Sequence, residues 1–165
     1  MEIFRGRRLW IEQRHVTLPN GLVREKVIVH PSSAVAILPL EGGQCKLLRQ
    51  YRYAIDDYIL EAPAGAIEAD EDPLVAAGRE LIEETGFAAQ TIEPRGFIIT
   101  TPGYTDEKIF LYEAHGLSPS IQYEKDEDEV IEVVNVRLQD LNRMIRDGMI
   151  VDAKTICLIQ RCLGC

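Results

Sequence analysis

Short apolar runs separated by turn-forming residues dominate the chain, and most of them predict strands. Residues 7–13 and 22–30 are rich in Val, Ile and Trp, with Leu18-Pro19-Asn20-Gly21 between them. Asn-Gly between two such runs is a hairpin signal, because both residues tolerate the positive φ of a tight turn. Pro31-Ser32-Ser33 then breaks the pattern, which predicts an N-terminal β appendage over residues 1–32 and a main domain over 33–165. Within the main domain, residues 34–40, 45–53, 58–61, 96–101, 108–114 and 130–136 predict further strands. Helical periodicity appears over 138–147 and 153–163, separated by Gly148. A third helix is predicted over 73–85, where Asp72 suits the N-cap, Pro73 the first helical position and Gly86 the stop. A helix inserted among strands, without regular βαβ alternation, gives a mixed α+β class.

Composition narrows the function classes. At 165 residues, 46% of them apolar and 27% charged, the chain fits one soluble domain with a small appendage. No apolar run approaches the roughly 18–20 residues that span a bilayer, and Met1-Glu2-Ile3-Phe4-Arg5 has no signal core. Neither a membrane nor export is expected. A net charge of -9 argues against nucleic acid as the partner, since phosphate backbones demand a basic surface. The four cysteines, Cys45, Cys157, Cys162 and Cys165, form no pair of CxxC units, so reduced thiols in a cytoplasmic protein are expected.

The 73–85 helix concentrates the chemistry. On a helical wheel Leu74, Ala77 and Leu81 gather as a stripe spaced for burial, while Glu80, Glu83 and Glu84 gather on another. Like charges at i, i+3 and i+4 repel by a few tenths of a kcal/mol (about 0.2–0.5), and the C-terminal half of a helix disfavours negative charge. Local stability does not explain these carboxylates. One reading is a solvated acidic face; the other is a site for a hard cation such as Mg²⁺, which takes oxygen ligands and bridges carboxylates to phosphates.

Context favours the cation. Gly65, five residues, Glu71, seven residues, then Arg79-Glu80-Leu81-Ile82-Glu83-Glu84-Thr85-Gly86-Phe87 is a full match to the Nudix box, and the chain resembles the Nudix hydrolase family. The resemblance implies an α/β/α sandwich with a mixed sheet. It implies Glu80 and Glu84 as metal ligands, Glu83 as a third ligand or a holder of metal-bound water, and the Ala64 carbonyl as a backbone ligand. By the same resemblance Arg79 orients a glutamate, Gly65 permits the tight loop, and Glu71 has a structural role near the helix start. Two or three Mg²⁺ are implied, with Mn²⁺ as a substitute.

The flanks are similar to the ADP-ribose pyrophosphatase subgroup. They read Arg49-Gln50-Tyr51-Arg52-Tyr53, Leu60-Glu61-Ala62-Pro63-Ala64-Gly65 and Thr101-Pro102-Gly103-Tyr104-Thr105-Asp106-Glu107-Lys108, with Pro102 at the subgroup's usual distance from the box. The likeness implies substrate contacts at Arg52, Ala66, Gly103 and Glu107. In the acidic run Asp126-Glu127-Asp128-Glu129 it implies a general base, Glu127, with Glu129 as metal ligand or alternate base. It also implies a homodimer that exchanges its N-terminal β units, with Arg24 and Lys26 facing a site across the dimer. Trp10, the sole tryptophan, would pack in that interface or stack on adenine. The implied reaction is ADP-ribose plus water giving AMP and ribose 5-phosphate. Rival readings are another nucleotide sugar such as GDP-mannose, NADH, oxidised nucleotides, or a nucleotide-sensing module without catalysis.

Overall fold

Residues 34–40 form an uninterrupted apolar run, and such a strand is satisfied only where both faces of the sheet are covered. In the computed structural model, which describes residues 1–121 and 130–164, that run lies at the centre of a mixed sheet. The chain proceeds through β1 (Glu2–Arg5), β2 (Leu9–Thr17), β3 (Val23–Pro31), β4 (Ala34–Glu41), β5 (Gln44–Arg52), β6 (Asp57–Glu61) and β7 (Ala64–Ala66). It continues with α1 (Pro73–Thr85), β8 (Phe87–Ile99), β9 (Lys108–Pro119), β10 (Ile131–Arg137), α2 (Leu138–Arg146) and α3 (Ala153–Leu163).

The larger sheet runs β10-β5-β4-β9-β8, with β6 paired to β5 and β7 to β4. The β4–β9 pair is parallel and the others are antiparallel. Successive β4 residues point to opposite faces, as strand geometry requires. Val35 and Ile37 pack with Ala76, Ala77 and Leu81 of α1, whereas Ala36, Leu38 and Leu40 pack with Leu141 of α2 and Leu158 and Ile159 of α3. This is the expected sandwich of helix, sheet and helix. Each fully buried Leu or Ile stabilises it by roughly 1.5–3 kcal/mol.

β4 and β5 pair directly only at their hairpin, through Leu40 with Cys45 and Glu41 with Gln44. Beyond it they diverge, and the segment from β6 to β7 wedges between them. Ile37 donates its N–H to the Pro63 carbonyl at 2.9 Å, which seats the wedge. Glu61, Ala64 and Gly65 are thereby carried to the middle of the sheet.

The N-terminal strands form a separate antiparallel sheet, ordered β1-β2-β3, with the hairpin turn at residues 18–22 as its sequence predicts. β1 itself was not foreseen by the apolar pattern. The sheet joins the main body where Val29 N–H donates to the Tyr104 carbonyl (2.9 Å) and the His30 ring meets Asp106 (2.6 Å). The Trp10 ring stacks on His30, centroids 3.9 Å apart.

Two local expectations change. β8 starts at Phe87 instead of 96, because its pairing with β9 continues on both sides of a bulge between Pro94 and Phe97, where Gly96 takes φ 84°. That bulge interrupts the alternation a reader would look for. Leu74, expected on the buried stripe, is 45% exposed; the first turn of α1 rises clear of the sheet, and Ala76, Ala77 and Leu81 make the contact instead. No helix among the described residues is long and apolar enough to cross a membrane.

Candidate active site

Helix α1 is fixed at both ends by its own sequence. Asp72 accepts the Leu74 N–H at 2.8 Å, and Gly86, in the left-handed region at φ 77°, donates its N–H to the Ile82 carbonyl at 2.8 Å. This anchoring directs Glu80 and Glu84 at the β6–β7 wedge. The Ala64 N–H donates to Glu84 Oε2 at 2.7 Å, and Glu84 is buried. Against the neighbouring residue lies Glu80: a Cβ built on Gly65 would fall 2.0 Å from Glu80 Oε1. Only glycine leaves room for a carboxylate there.

Arg79 organises these acids. Its Nη1 donates to Glu80 Oε1 (2.7 Å) and Glu83 Oε2 (2.8 Å). Nε and Nη2 grip Glu71 at 2.9 and 3.0 Å, and Nη2 also reaches the Ala66 carbonyl at 3.1 Å. All five guanidinium protons are used. The hydrogen bonds from Arg79 hold the Glu71 carboxyl below the usual carboxylate range, and those it gives to Glu71 push the Arg79 guanidinium up. Glu71 in turn accepts the Glu68 N–H (2.9 Å), closing the loop before α1.

Across the wedge stands a second arginine. Arg52, at the end of β5, forms a side-on pair with Glu61, Nε to Oε1 at 2.6 Å and Nη2 to Oε2 at 2.7 Å. Lys154, in the first turn of α3, also donates to Glu61 Oε2 and to Asp152 Oδ2 (3.0 Å). Burial alone would raise the Glu61 carboxyl, but Arg52 and Lys154 outweigh it and hold the group lowered. Asp152 caps α3 through Thr155, and the Thr155 hydroxyl accepts the Ala62 N–H at 2.7 Å. The far helix is therefore tied to the wedge.

Beside Arg52 and the wedge opens a cleft of about 460 Å³. Arg52, Ala64, Ala66, Glu80 and Glu107, all expected at the site, line it together with Gly65. Glu107 is held by the Thr100 hydroxyl at 2.6 Å. Arg8, Asp152 and Lys154 also line it, and sequence reasoning missed them. Arg8, expected within a strand over 7–13, lies in the turn between β1 and β2, and Lys154 meets Glu61 only through the fold. A signal existed for Asp152, whose place before residues 153–163 is that of an N-cap.

Other expected residues lie elsewhere. Glu83 faces Arg79 and is 42% exposed. Gly103 is in the loop before β9 and does not line the cleft. Arg24 and Lys26 are exposed on β3, away from it, with Arg24 donating to the Val23 carbonyl (2.8 Å). Glu127 and Glu129 lie outside the described residues.

The donors at the wedge are all oxygens: Glu80, Glu84 and the Ala64 carbonyl, with Glu83 beside them. Such a set fits a hard divalent cation. The glycine gap at residue 65 fits it too, since it admits a carboxylate against the backbone. Among the described residues no three acidic, His or Cys side chains converge closely enough to hold an ion as they stand. The physical reason is Arg79, which draws Glu80 and Glu83 to itself as the counter-cation.

A family model of the NUDIX domain matches residues 30–159. The methanol dehydrogenase activator of Bacillus methanolicus is 37% identical over 161 residues, covering 96% of this chain and 87% of that protein. The ADP-ribose pyrophosphatase of Bacillus subtilis (strain 168) is 36% identical over 161 residues, again 96% of this chain and 87% of the relative. A crystal structure of an ADP compounds hydrolase superposes with a TM-score of 0.86 at 26% identity, covering 98% of this chain and 88% of that one. These matches span both helical layers and the sheet between them, well beyond one motif, and on that extent the chain belongs to the Nudix hydrolase family.

Proposed function

We propose that this enzyme hydrolyses the diphosphate bond of ADP-ribose, giving AMP and ribose 5-phosphate, with Mg²⁺ as its cation and Mn²⁺ as a substitute. One observation carries the reading: Arg52 and Glu80 line the same cleft, together with Ala64 and Gly65 of the wedge. A guanidinium suits a phosphate and a carboxylate suits the cation that accompanies it. Names of relatives support the substrate class, an ADP-ribose pyrophosphatase and an ADP compounds hydrolase among them.

Glu80, Glu84 and the Ala64 carbonyl would hold the cations, with Glu83 assisting. When bound, such ions neutralise a diphosphate and acidify water near it. The protein does the rest. Arg79 keeps Glu80 and Glu83 aligned, Arg52 turns its free edge to a phosphate, and Glu107 receives a ribose hydroxyl. Ala66, on the cleft wall, offers backbone to the substrate. A glutamate of the acidic run, Glu127 or else Glu129, takes the proton from the attacking water.

The biological unit in this reading is a homodimer that exchanges residues 1–32, with 33–165 as the hydrolase domain. Phe4, Val23 and Val27 on the N-terminal sheet are each about half exposed, as an apolar face awaiting a partner would be. Arg24 and Lys26 would then approach the partner's cleft. Location is cytoplasmic, in keeping with free thiols at Cys45, Cys157 and Cys162.

The test is a panel of ADP-ribose, GDP-mannose, NADH and an oxidised nucleoside triphosphate, assayed with Mg²⁺. ADP-ribose should show the highest kcat/KM. Turnover of the triphosphate at an equal or greater rate would overturn the substrate assignment.

A further inference from the structure

The Arg52 wall of the cleft holds four charges in one network: Arg52 and Lys154 against Glu61 and Asp152. They sum to zero. The Glu61 side chain is only 2% exposed, and that of Lys154 13%, so water screens them little. Arg52 differs, at 39% exposed, and among the described residues its Nη1 has no partner. Its side-on edge is spent on Glu61, which leaves the end-on edge, Nη1 with the outer proton of Nη2, for the cleft.

Removing Lys154 would change this wall in two ways. Glu61 would have Arg52 as its sole paired counter-charge, and Asp152 would lose its ion pair and keep only the longer-range attraction of Arg52. The wall would become net negative where an anionic diphosphate has to enter. We infer that Lys154 is a positioning residue for diphosphate binding, balancing Glu61 and Asp152 so that Arg52 keeps its end-on edge and its charge for the substrate. The inference rests on the proposed diphosphate hydrolysis but on no choice among diphosphate substrates. Lys154 need not touch the substrate: its amine is taken up by the two carboxylates.

The experiment compares wild type, Lys154→Met and the double variant Lys154→Met with Asp152→Asn. The double variant removes one charge of each sign and returns the wall to zero, while Asn retains the N-cap of α3. KM and kcat are measured on whichever nucleoside diphosphate the wild type cleaves fastest. Calorimetric Kd for a non-hydrolysable ADP-ribose analogue with Mg²⁺ is measured alongside, so Lys154 is tested even in a protein that binds without cleaving. For Lys154→Met we expect KM and Kd to rise about tenfold with kcat within about threefold, the pattern of lost uniform binding. The double variant should return KM and Kd to within about threefold of wild type. Lost packing at Lys154 would not be repaired by Asp152→Asn. Unchanged binding in Lys154→Met, or a double variant no better than the single, overturns the inference. Thermal unfolding checks that each protein is folded. Should Lys154→Met not fold, Lys154→Gln replaces it in both arms. Misfolding of both, unrelieved by Asp152→Asn, likewise overturns the inference in favour of a purely structural lysine. A wild type that cleaves no diphosphate refutes the proposed function, and the Kd comparison still decides on Lys154.

Discussion

Arg79 and Arg52 stand on either side of the same wedge, and each grips a glutamate through its Nε–Nη2 edge. Their remaining protons differ. Arg79 gives the rest to Glu80, Glu83 and the Ala66 carbonyl, so it has nothing left for a ligand. Among the described residues Arg52 has no partner for its other edge, and it lines the cleft. Identical side chains thus serve opposite ends: a saturated guanidinium fixes the shape of a site, and a half-saturated one is aimed and left available. Arginine identity at a cleft says little until its donors have been counted.

The largest effect should come from the acids that Arg79 organises. Glu84→Gln keeps an acceptor for the Ala64 N–H but removes the charge, and should lower kcat by about 10³-fold with the circular dichroism spectrum intact. Activity close to wild type would remove Glu84 from the metal set. Next, Gly65→Ala drives a methyl into the Glu80 carboxylate and should reduce kcat about 100-fold by displacement alone. The comparison itself is tested by exchanging each arginine for lysine. Arg79→Lys loses the fork and should destabilise the fold by about 2–3 kcal/mol in urea titration. Arg52→Lys should raise KM about tenfold with a smaller loss of stability. Equal stability losses would dissolve the distinction between the two sites.

The smallest effect is on acid stability. The Glu61 carboxyl is held below its ordinary value of 4.5, so folding gains from its ionised form. That contribution is complete above the ordinary value and disappears as pH falls through the lowered one. Urea midpoints measured from about pH 6 down to about pH 3 should therefore fall more steeply in wild type than in Glu61→Gln.

The legible and hidden parts of the molecule divide by the range of the forces involved. Helix α1 was readable to the residue because Asp72, Pro73 and Gly86 act within one turn of their own backbone. Strand β4 announced its two-sided burial through continuous apolarity. The box residues were readable because their spacing is itself the motif. By contrast, most of β8 was hidden by the irregularity at Pro94–Phe97, which only its pairing with β9 resolves. Leu74 was misassigned because a wheel gives angular position but not where a helix leaves its sheet. The Arg52 wall was invisible for a deeper reason. Glu61 and Lys154 are far apart in sequence, and no local preference encodes their meeting.

That separation has a consequence for how the protein is made. Ala62 N–H is satisfied by Thr155, and Glu61 by Lys154, so the wedge at the heart of the cleft is completed by residues 152–155. During synthesis the sheet and α1 can emerge and collapse while α3 is still inside the ribosome. Until those later residues are released, the nascent chain has its catalytic helix but an unfinished pocket beside it. Hydrolytic competence should therefore appear late and abruptly as the chain lengthens, long after most of the fold has formed.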